Sequence, residues 1–510
     1  MAGFEEIRRE GYLYVDKTEY LNSLVNAGKY YFLSRPRRFG KSMFLNTLDA
    51  YFKGKRHLFK GLKIYKLQPQ EWVKYPVLRL NLSGVYYENE TSLLAYLDSC
   101  INKWSLEFGV EVSGISLSSK FQDLIEKITA IQQKGIVILI DEYDAPLTDT
   151  INNQFLQETY RNQLHSFYSI LKKMEDVIRF CMLTGVTVYG KLSIFSGLNN
   201  LKDISFSNNY AGICGVTEEE LRVFYYDGIK AFAQKEKIDI EQAFEILKHH
   251  YDGYHFSSQL LDIYNPFSIN LALEELEIKN YWCESGNPTI LSRLLFGLDF
   301  DLEHLNNVEI GESSLTNLSM EKVKPEVLLY QTGYLTLKSY NDKRKLYYLG
   351  YPNREVETGL LDNILEVYGE PHYDIRSSIF NFIDALEDGR PEHFVKYLNA
   401  FLADIPSKLQ ERVSKYENYY HSIFHCIFRL IGINVESEYN TSNGFIDMVI
   451  KTSKFIYIVE LKVNGSAKSA MNQIEKKHYA APFATDGRQL IKLAIGFSKT
   501  TRRVKALIER

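Results

Sequence analysis

The apolar run Tyr30-Tyr31-Phe32-Leu33 leads into Ser34-Arg35-Pro36-Arg37-Arg38-Phe39-Gly40-Lys41-Ser42. Beyond it, Met43, Phe44, Leu45, Leu48, Tyr51 and Phe52 recur at helical spacing. Buried strand, tight loop, helix is a succession that few folds accommodate, and the loop ends in the Gly-Lys-Ser that phosphate binding requires. Gly40 lets backbone N–H groups approach a phosphate, and the helix N-terminus adds the positive end of its dipole. Lys41 is placed to reach the β- and γ-phosphates, and the Ser42 hydroxyl to ligate Mg²⁺. Arg37, Arg38 and Phe39 complete the expected ATP-binding set with Gly40, Lys41 and Ser42. A basic loop that merely ends in Gly-Lys-Ser is the plainer reading, and the flanking strand and helix argue against it.

A second strand, Ile136-Val137-Ile138-Leu139-Ile140, is apolar on both faces, as in the centre of a parallel sheet. It ends in Asp141-Glu142-Tyr143-Asp144, at the sheet edge where open α/β folds bind ligands. Asp141 is expected to contact Mg²⁺ directly or through water, and Glu142 to polarise the attacking water. An Asp after a strand can also simply cap the next helix. Val77–Leu82 and Arg179–Leu183 supply further strands, and Thr184 after the latter is placed to sense a γ-phosphate. Residues 91–133 read as a long helical region and residues 206–350 as mostly helical. Thr217 and Glu220 form a capping box for a helix running to about residue 234. Tyr251-Asp252-Gly253-Tyr254 and Asn265-Pro266 read as turns.

The 510 residues give a prior of about three domains, each large enough for its own core. Five scattered cysteines without a C-x-x-C pair suggest neither a disulfide framework nor a zinc site. The acidic start lacks an apolar signal core, and no stretch approaches the ~20 apolar residues that span a bilayer. No membrane association and a reducing cytoplasm are therefore expected. Charge is uneven: residues 401–510 carry 17 Lys and Arg against 10 Asp and Glu, whereas the whole chain has a net charge of −4. A basic C-terminal segment allows a nucleic-acid partner, although a solvated basic face is the commoner reason for such a surplus.

The C-terminal segment carries its own pattern. Phe445–Ile450 reads as a strand, Lys451–Lys454 as a polar turn, and Phe455–Leu461 as a returning strand that ends in Glu460-Leu461-Lys462. Residues two apart share a strand face, so Glu460 and Lys462 point the same way, and pairing of the strands brings Asp447 beside them. Converging carboxylates repel unless a cation joins them, and Mg²⁺ suits this. Asp447 and Glu460 are the expected metal ligands, with Glu417 as a further carboxylate. Lys462 would position a nucleophile, and Gln473, on a following helix, would brace the site. An E-x-K triplet alone is weak: Glu277-Ile278-Lys279 is another, read as ordinary helix surface. The ordered set of Asp, strand, turn, strand, Glu-x-Lys, helix and Gln carries the assignment.

These residues resemble the bacterial AAA-ATPase-like proteins fused to a C-terminal PD-(D/E)XK nuclease-like domain. The resemblance spans almost the whole chain. It is carried by Tyr14-Val15-Asp16-Lys17-Thr18, Arg35–Ser42, Asp141–Asp144, Phe195–Asn199, Tyr251–Tyr254, Tyr264–Ser268 and the block from Asp447 through Glu460, Lys462 and Gln473. In that family R-P-R-R-F-G-K-S is itself characteristic. An arginine often precedes the Ile-Asp of the metal strand, where this chain has Phe445.

The resemblance implies an α/β chain with three parts. These are a P-loop AAA-ATPase-like parallel sheet over 1–205, a mostly helical middle over 206–350, and a restriction-endonuclease-like α/β domain over 351–510 with its core at about 411–505. The expected function is ATP binding and hydrolysis coupled to Mg²⁺-dependent DNA cleavage in DNA processing or defence, with DNA favoured over RNA. A homo-oligomer is allowed, because a neighbouring subunit could supply an arginine to the ATPase site. The main rival is a switch ATPase whose C-terminal domain binds nucleic acid or a protein without cutting. A scaffold with neither activity is disfavoured by both motifs.

Overall fold

The computed structural model describes every residue except 1–2, 152, 189–193, 196–197, 286–304, 306, 317–323, 369–374, 405–426, 428–434, 442–443, 464, 499–500 and 502. The chain divides into two compact units, Met1–Trp282 with Asn306–Glu355, and Cys283–Leu305 with Val356–Arg510.

The first unit is built on a parallel sheet of β1 (Tyr30–Ser34), β2 (Val77–Asn81), β3 (Ile136–Asp141), β4 (Ile178–Gly185) and β5 (Lys202–Asp203), in the order β2-β3-β4-β1-β5. All six residues of β3 are buried, as expected of a strand apolar on both faces. Because the strands are parallel, the carboxyl ends of β1, β3 and β4 meet at one edge. The expected long helix is two, Ser92–Phe108 and Leu117–Gln132, split at Gly109 in the left-handed region and restarted by a Ser116 capping box.

The middle segment joins the same unit. The Thr217–Glu220 capping box forms as expected, but the helix it opens runs only Glu218–Phe224, breaks at Tyr225 and resumes over Tyr226–Glu236. With Ile240–Tyr251 and Pro266–Glu275 these helices enclose a core that includes Leu221, Ile229, Phe244, Leu247 and Tyr251. The two expected turns are helix boundaries: Asp252 ends one helix, and Asn265 caps another that has Pro266 at its first position. Strands β6 (Val216–Thr217) and β7 (Ile263–Tyr264) pair beside them. Residues 308–350 add an antiparallel sheet of β8 (Val308–Gly311), β9 (Thr336–Asn341) and β10 (Leu346–Gly350), which the helical reading missed. Glu277-Ile278-Lys279 lies past the end of the Pro266–Glu275 helix in an irregular segment, and so is not helix surface.

The second unit contains a mixed sheet of β11 (Val435–Thr441), β12 (Gly444–Lys451), β13 (Phe455–Val463), β14 (Gln489–Ser498) and β15 (Arg503–Glu509), in chain order. Only β13 and β14 run parallel, and the helix Ala467–Lys476 supplies their crossover. That helix buries Ala467, Ala470 and Ile474 on the sheet beside Ile446, Val449 and Ile458. Gly496 makes the close approach possible, since a Cβ there would stand 2.4 Å from the Ala467 nitrogen.

Candidate functional sites

At the first site, β1 delivers the loop. Arg38 (φ 70°) and Gly40 (φ 95°) both adopt left-handed backbone, which curls the chain before the helix Lys41–Phe52 begins. No side chain caps that helix, so its first-turn N–H groups remain directed at the loop, as anion binding requires. Lys41 is buried and donates from Nζ to the carbonyls of Arg35 (2.8 Å) and Pro36 (3.0 Å). Burial pulls its pKa down, while the charges of Glu142, Asp141 and Asp144 oppose that shift. Ser42 is exposed at the start of the helix.

The loop arginines divide by environment. Arg37 is exposed, and Arg38 is exposed with its guanidinium 4.9 Å from the Phe267 ring centre. Arg35 is buried and donates to the carbonyls of Ser34 (2.8 Å), Ser205 (2.7 Å) and Tyr210 (3.3 Å), stacked 4.2 Å over Phe256. Phe39 is also buried, edge-on to Tyr254 and Phe256 at 4.7 and 5.4 Å between ring centres. Its side chain anchors the loop, and only its backbone can face a nucleotide.

The strand ends complete the site. Thr184, on β4, donates its hydroxyl to Asp141 Oδ1 at 2.7 Å, and Asp141 Oδ2 is buried with no hydrogen-bond partner. A buried carboxylate oxygen without a donor is costly unless a cation or ordered water meets it, so Asp141 fits a divalent-cation shell. Glu142 has φ 51°, a strained conformation for a non-glycine residue, which turns it out of the strand line. Burial raises its pKa, Lys41 opposes that, and Asp141 and Asp144 reinforce it.

Asp144, which the sequence did not single out, accepts from the Val186 N–H (3.2 Å), the Thr187 N–H (2.7 Å) and the Thr187 hydroxyl (2.8 Å). It ties the end of β3 to the end of β4. Gly185 permits this, because a Cβ there would lie 2.6 Å from both Asp144 and Tyr143. Lys17 and Asp16 also prove architectural. Lys17 bonds Glu220 (2.6 Å) and the Gly212 carbonyl (2.7 Å), and Asp16 accepts from Thr18 (2.6 Å) and the Lys63 N–H (2.7 Å).

At the second site the backbone ladder between β12 and β13 ends at Met448 and Val459. Just beyond it, Asp447 Oδ2 takes the Leu461 N–H at 2.8 Å. Glu460 is fully buried, with Oε1 held by Lys462 Nζ at 2.7 Å and Oε2 unpartnered. Burial, then the Asp447 charge, raises the Glu460 pKa to about 7. Burial also acts to lower the Lys462 pKa, but the Glu460 hydrogen bond and carboxylate charges outweigh it and the net shift is upward. The structure thus brings Asp447, Glu460 and Lys462 together. Gln473 lies half-buried on the crossover helix, and no side-chain hydrogen bond joins it to these three among the described residues. Glu417 lies outside the described residues. The unpartnered Glu460 oxygen beside Asp447 suits a divalent cation, with the two carboxylates as its protein ligands.

A buried parallel strand feeding Gly-Lys-Ser, with Asp-Glu at a neighbouring strand end, defines a P-loop nucleotide-binding domain. Asp447 with Glu460-x-Lys462 on adjacent strands defines a nuclease-like domain. Residues 1–195 match the family described as predicted AAA-ATPase, and residues 415–507 match the PD-(D/E)XK nuclease superfamily. Over 513 residues the chain is 31% identical to a protein of Azotobacter chroococcum mcd 1 described as an uncharacterized protein in the vnfD 5' region. That alignment covers 99% of this chain and 97% of the relative. The chain therefore belongs to the family of AAA-ATPase-like proteins with a C-terminal PD-(D/E)XK nuclease superfamily domain. Among the described residues, no helix is long and apolar enough to cross a membrane.

Proposed function

We propose that this protein binds and hydrolyses ATP at the Gly40-Lys41-Ser42 loop and cleaves DNA phosphodiesters at Asp447, Glu460 and Lys462, with nucleotide state controlling cleavage. The observation that carries the reading is the buried, unpartnered Glu460 oxygen beside Asp447 and Lys462. Mg²⁺ held by Asp447 and Glu460, and by Ser42 and Asp141 at the other site, would neutralise phosphoryl charge and acidify a bound water. The chain's own residues supply the rest. Lys41 and the first-turn N–H groups hold phosphates, and Thr184 fixes the Asp141 carboxylate. Glu142, with its raised pKa, is suited to accept a proton from an attacking water. Lys462, kept cationic by Glu460, holds a phosphate oxygen or orients the nucleophile. A cytoplasmic setting, DNA as the partner, and an arginine donated by a second copy to the ATPase site belong to the same reading.

The test incubates plasmid and linear DNA with Mg²⁺, with and without ATP, using wild type, Lys41→Ala, Asp447→Ala and Lys462→Ala. Cleavage is expected from wild type, not from the C-terminal variants, and without ATP control in Lys41→Ala. If Lys462→Ala cuts as well as wild type, the nuclease assignment is wrong. A second reading, a switch ATPase with a non-cutting C-terminal domain, draws on the Lys462 bond that occupies one Glu460 oxygen. DNA binding without cleavage at any nucleotide state would favour it.

A further inference from the structure

Phe445 is 60% exposed, although it lies on a sheet strand two residues from Asp447. Along β12, Ile446 and Met448 through Ile450 are buried, whereas Asp447 is partly exposed and Phe445 is open to solvent. The backbone beneath the ring is fixed, since the Tyr479 hydroxyl donates to the Phe445 carbonyl at 2.6 Å. Gly444 just before it has φ 127°, and a Cβ there would lie 3.9 Å from Lys477 Nζ. An exposed ring therefore lies two residues from Asp447 on the strand, with a lysine ammonium beside the preceding Gly444. Residues 444–480 carry six lysines against three carboxylates, two of which are Asp447 and Glu460 themselves.

That combination fits a particular ligand chemistry. Lysines around a site attract a phosphate backbone, and an exposed ring offers a flat face to a nucleobase. A base inside a duplex already has both faces covered by its neighbours, so it cannot stack on Phe445 without leaving the helix. A base in a single strand, or at a frayed end, can.

We propose that Phe445 is a stacking platform for an unpaired nucleobase, so that the C-terminal site takes single-stranded nucleic acid or strand ends rather than continuous duplex. The inference rests on the nuclease reading for the position of the scissile phosphate, but the binding contact itself needs no cleavage. Packing does not account for the ring, given its exposure, and Lys477 beside Gly444 together with Lys462 at the carboxylates favours a polyanion over an apolar protein partner.

The test uses the full-length protein with EDTA and three fluorescent probes: a short DNA strand, the RNA strand of the same sequence, and the blunt DNA duplex. Phe445→Ala is expected to weaken single-strand binding roughly 10-fold or more, to change duplex binding less than about 2-fold, and to be rescued by Phe445→Trp. Phe445-dependent binding of either the DNA or the RNA strand supports the proposal, because stacking reads the base face. Equal binding by wild type and Phe445→Ala, an equal loss on strand and duplex, or no nucleic-acid binding overturns it. Parallel cleavage assays with Mg²⁺ and Glu460→Gln keep the two readings apart. If wild type never cuts, the nuclease reading fails while the Phe445 result stands by itself.

Discussion

Asp447 Oδ2 accepts the backbone N–H of Leu461 at 2.8 Å, at the point where the β12–β13 ladder has already ended. The carboxylate thus takes over a donor that a strand partner would otherwise satisfy, and in doing so is locked beside Glu460. This explains how the two carboxylates are held together: one is tethered by backbone, the other by Lys462.

The raised pKa of Glu460 has a consequence for stability. A carboxyl near 7 in the folded protein and near 4.5 unfolded binds more protons when folded. Its stabilising effect is complete below 4.5 and is lost as pH rises through about 7. Glu460→Gln removes that dependence. With divalent cations chelated, the variant should melt about 2–4 °C above wild type at pH 8 and show no such gain near pH 5. Calorimetry at the two pH values checks it, and Mg²⁺ should narrow the gap at pH 8.

Removing the Asp144 carboxylate leaves two backbone N–H groups and a hydroxyl without their acceptor in a buried site. Asp144→Ala should cost about 3 kcal/mol or more in the first unit. Asp144→Asn, which keeps one accepting oxygen, should cost less. Denaturant titration of the two variants gives the comparison, and equal stability would contradict the clasp.

Gly496 and Gly487 form a matched pair. A methyl at 496 would strike the Ala467 backbone at 2.4 Å, whereas one at 487 meets nothing within 4 Å. Gly496→Ala should destabilise the second unit by about 2 kcal/mol or more, and Gly487→Ala should stay within about 0.5 kcal/mol of wild type. Hydrogen exchange on the Ala467–Lys476 helix would localise the effect.

Arg35→Lys retains charge but not the planar fork that reaches three carbonyls and stacks on Phe256. A loss of about 1–3 kcal/mol in stability is expected, with weaker ATP binding by calorimetric titration. Arg37→Lys, at an exposed position, should leave stability unchanged.

Local features of both sites were readable from sequence. Strand, loop and helix around Lys41 are contiguous, and Asp447, Glu460 and Lys462 fall within two neighbouring strands, so spacing alone located them. The Asp144 clasp and the Arg35 cage were not readable, because, apart from the adjacent Ser34, their partners lie 42 (186 − 144) to 221 (256 − 35) residues away. For β9 the signal existed: Leu335 and Leu337 alternate with polar residues before Asn341-Asp342. The helices around it dominated the reading. Phe39 looked like part of a nucleotide cradle because it adjoins Gly40, and only tertiary packing shows its ring turned into an aromatic cluster.

The supports of that ring and of Arg35 have a bearing on modularity. The ATPase-family segment ends at residue 195, yet Ser205, Tyr210, Tyr254 and Phe256 all follow it. A fragment cut there would keep every residue of the phosphate motif and lose the walls that shape it. The sequence motif and the folding unit therefore have different ends, and the nucleotide loop can be transplanted, truncated or swapped only together with residues through Phe256.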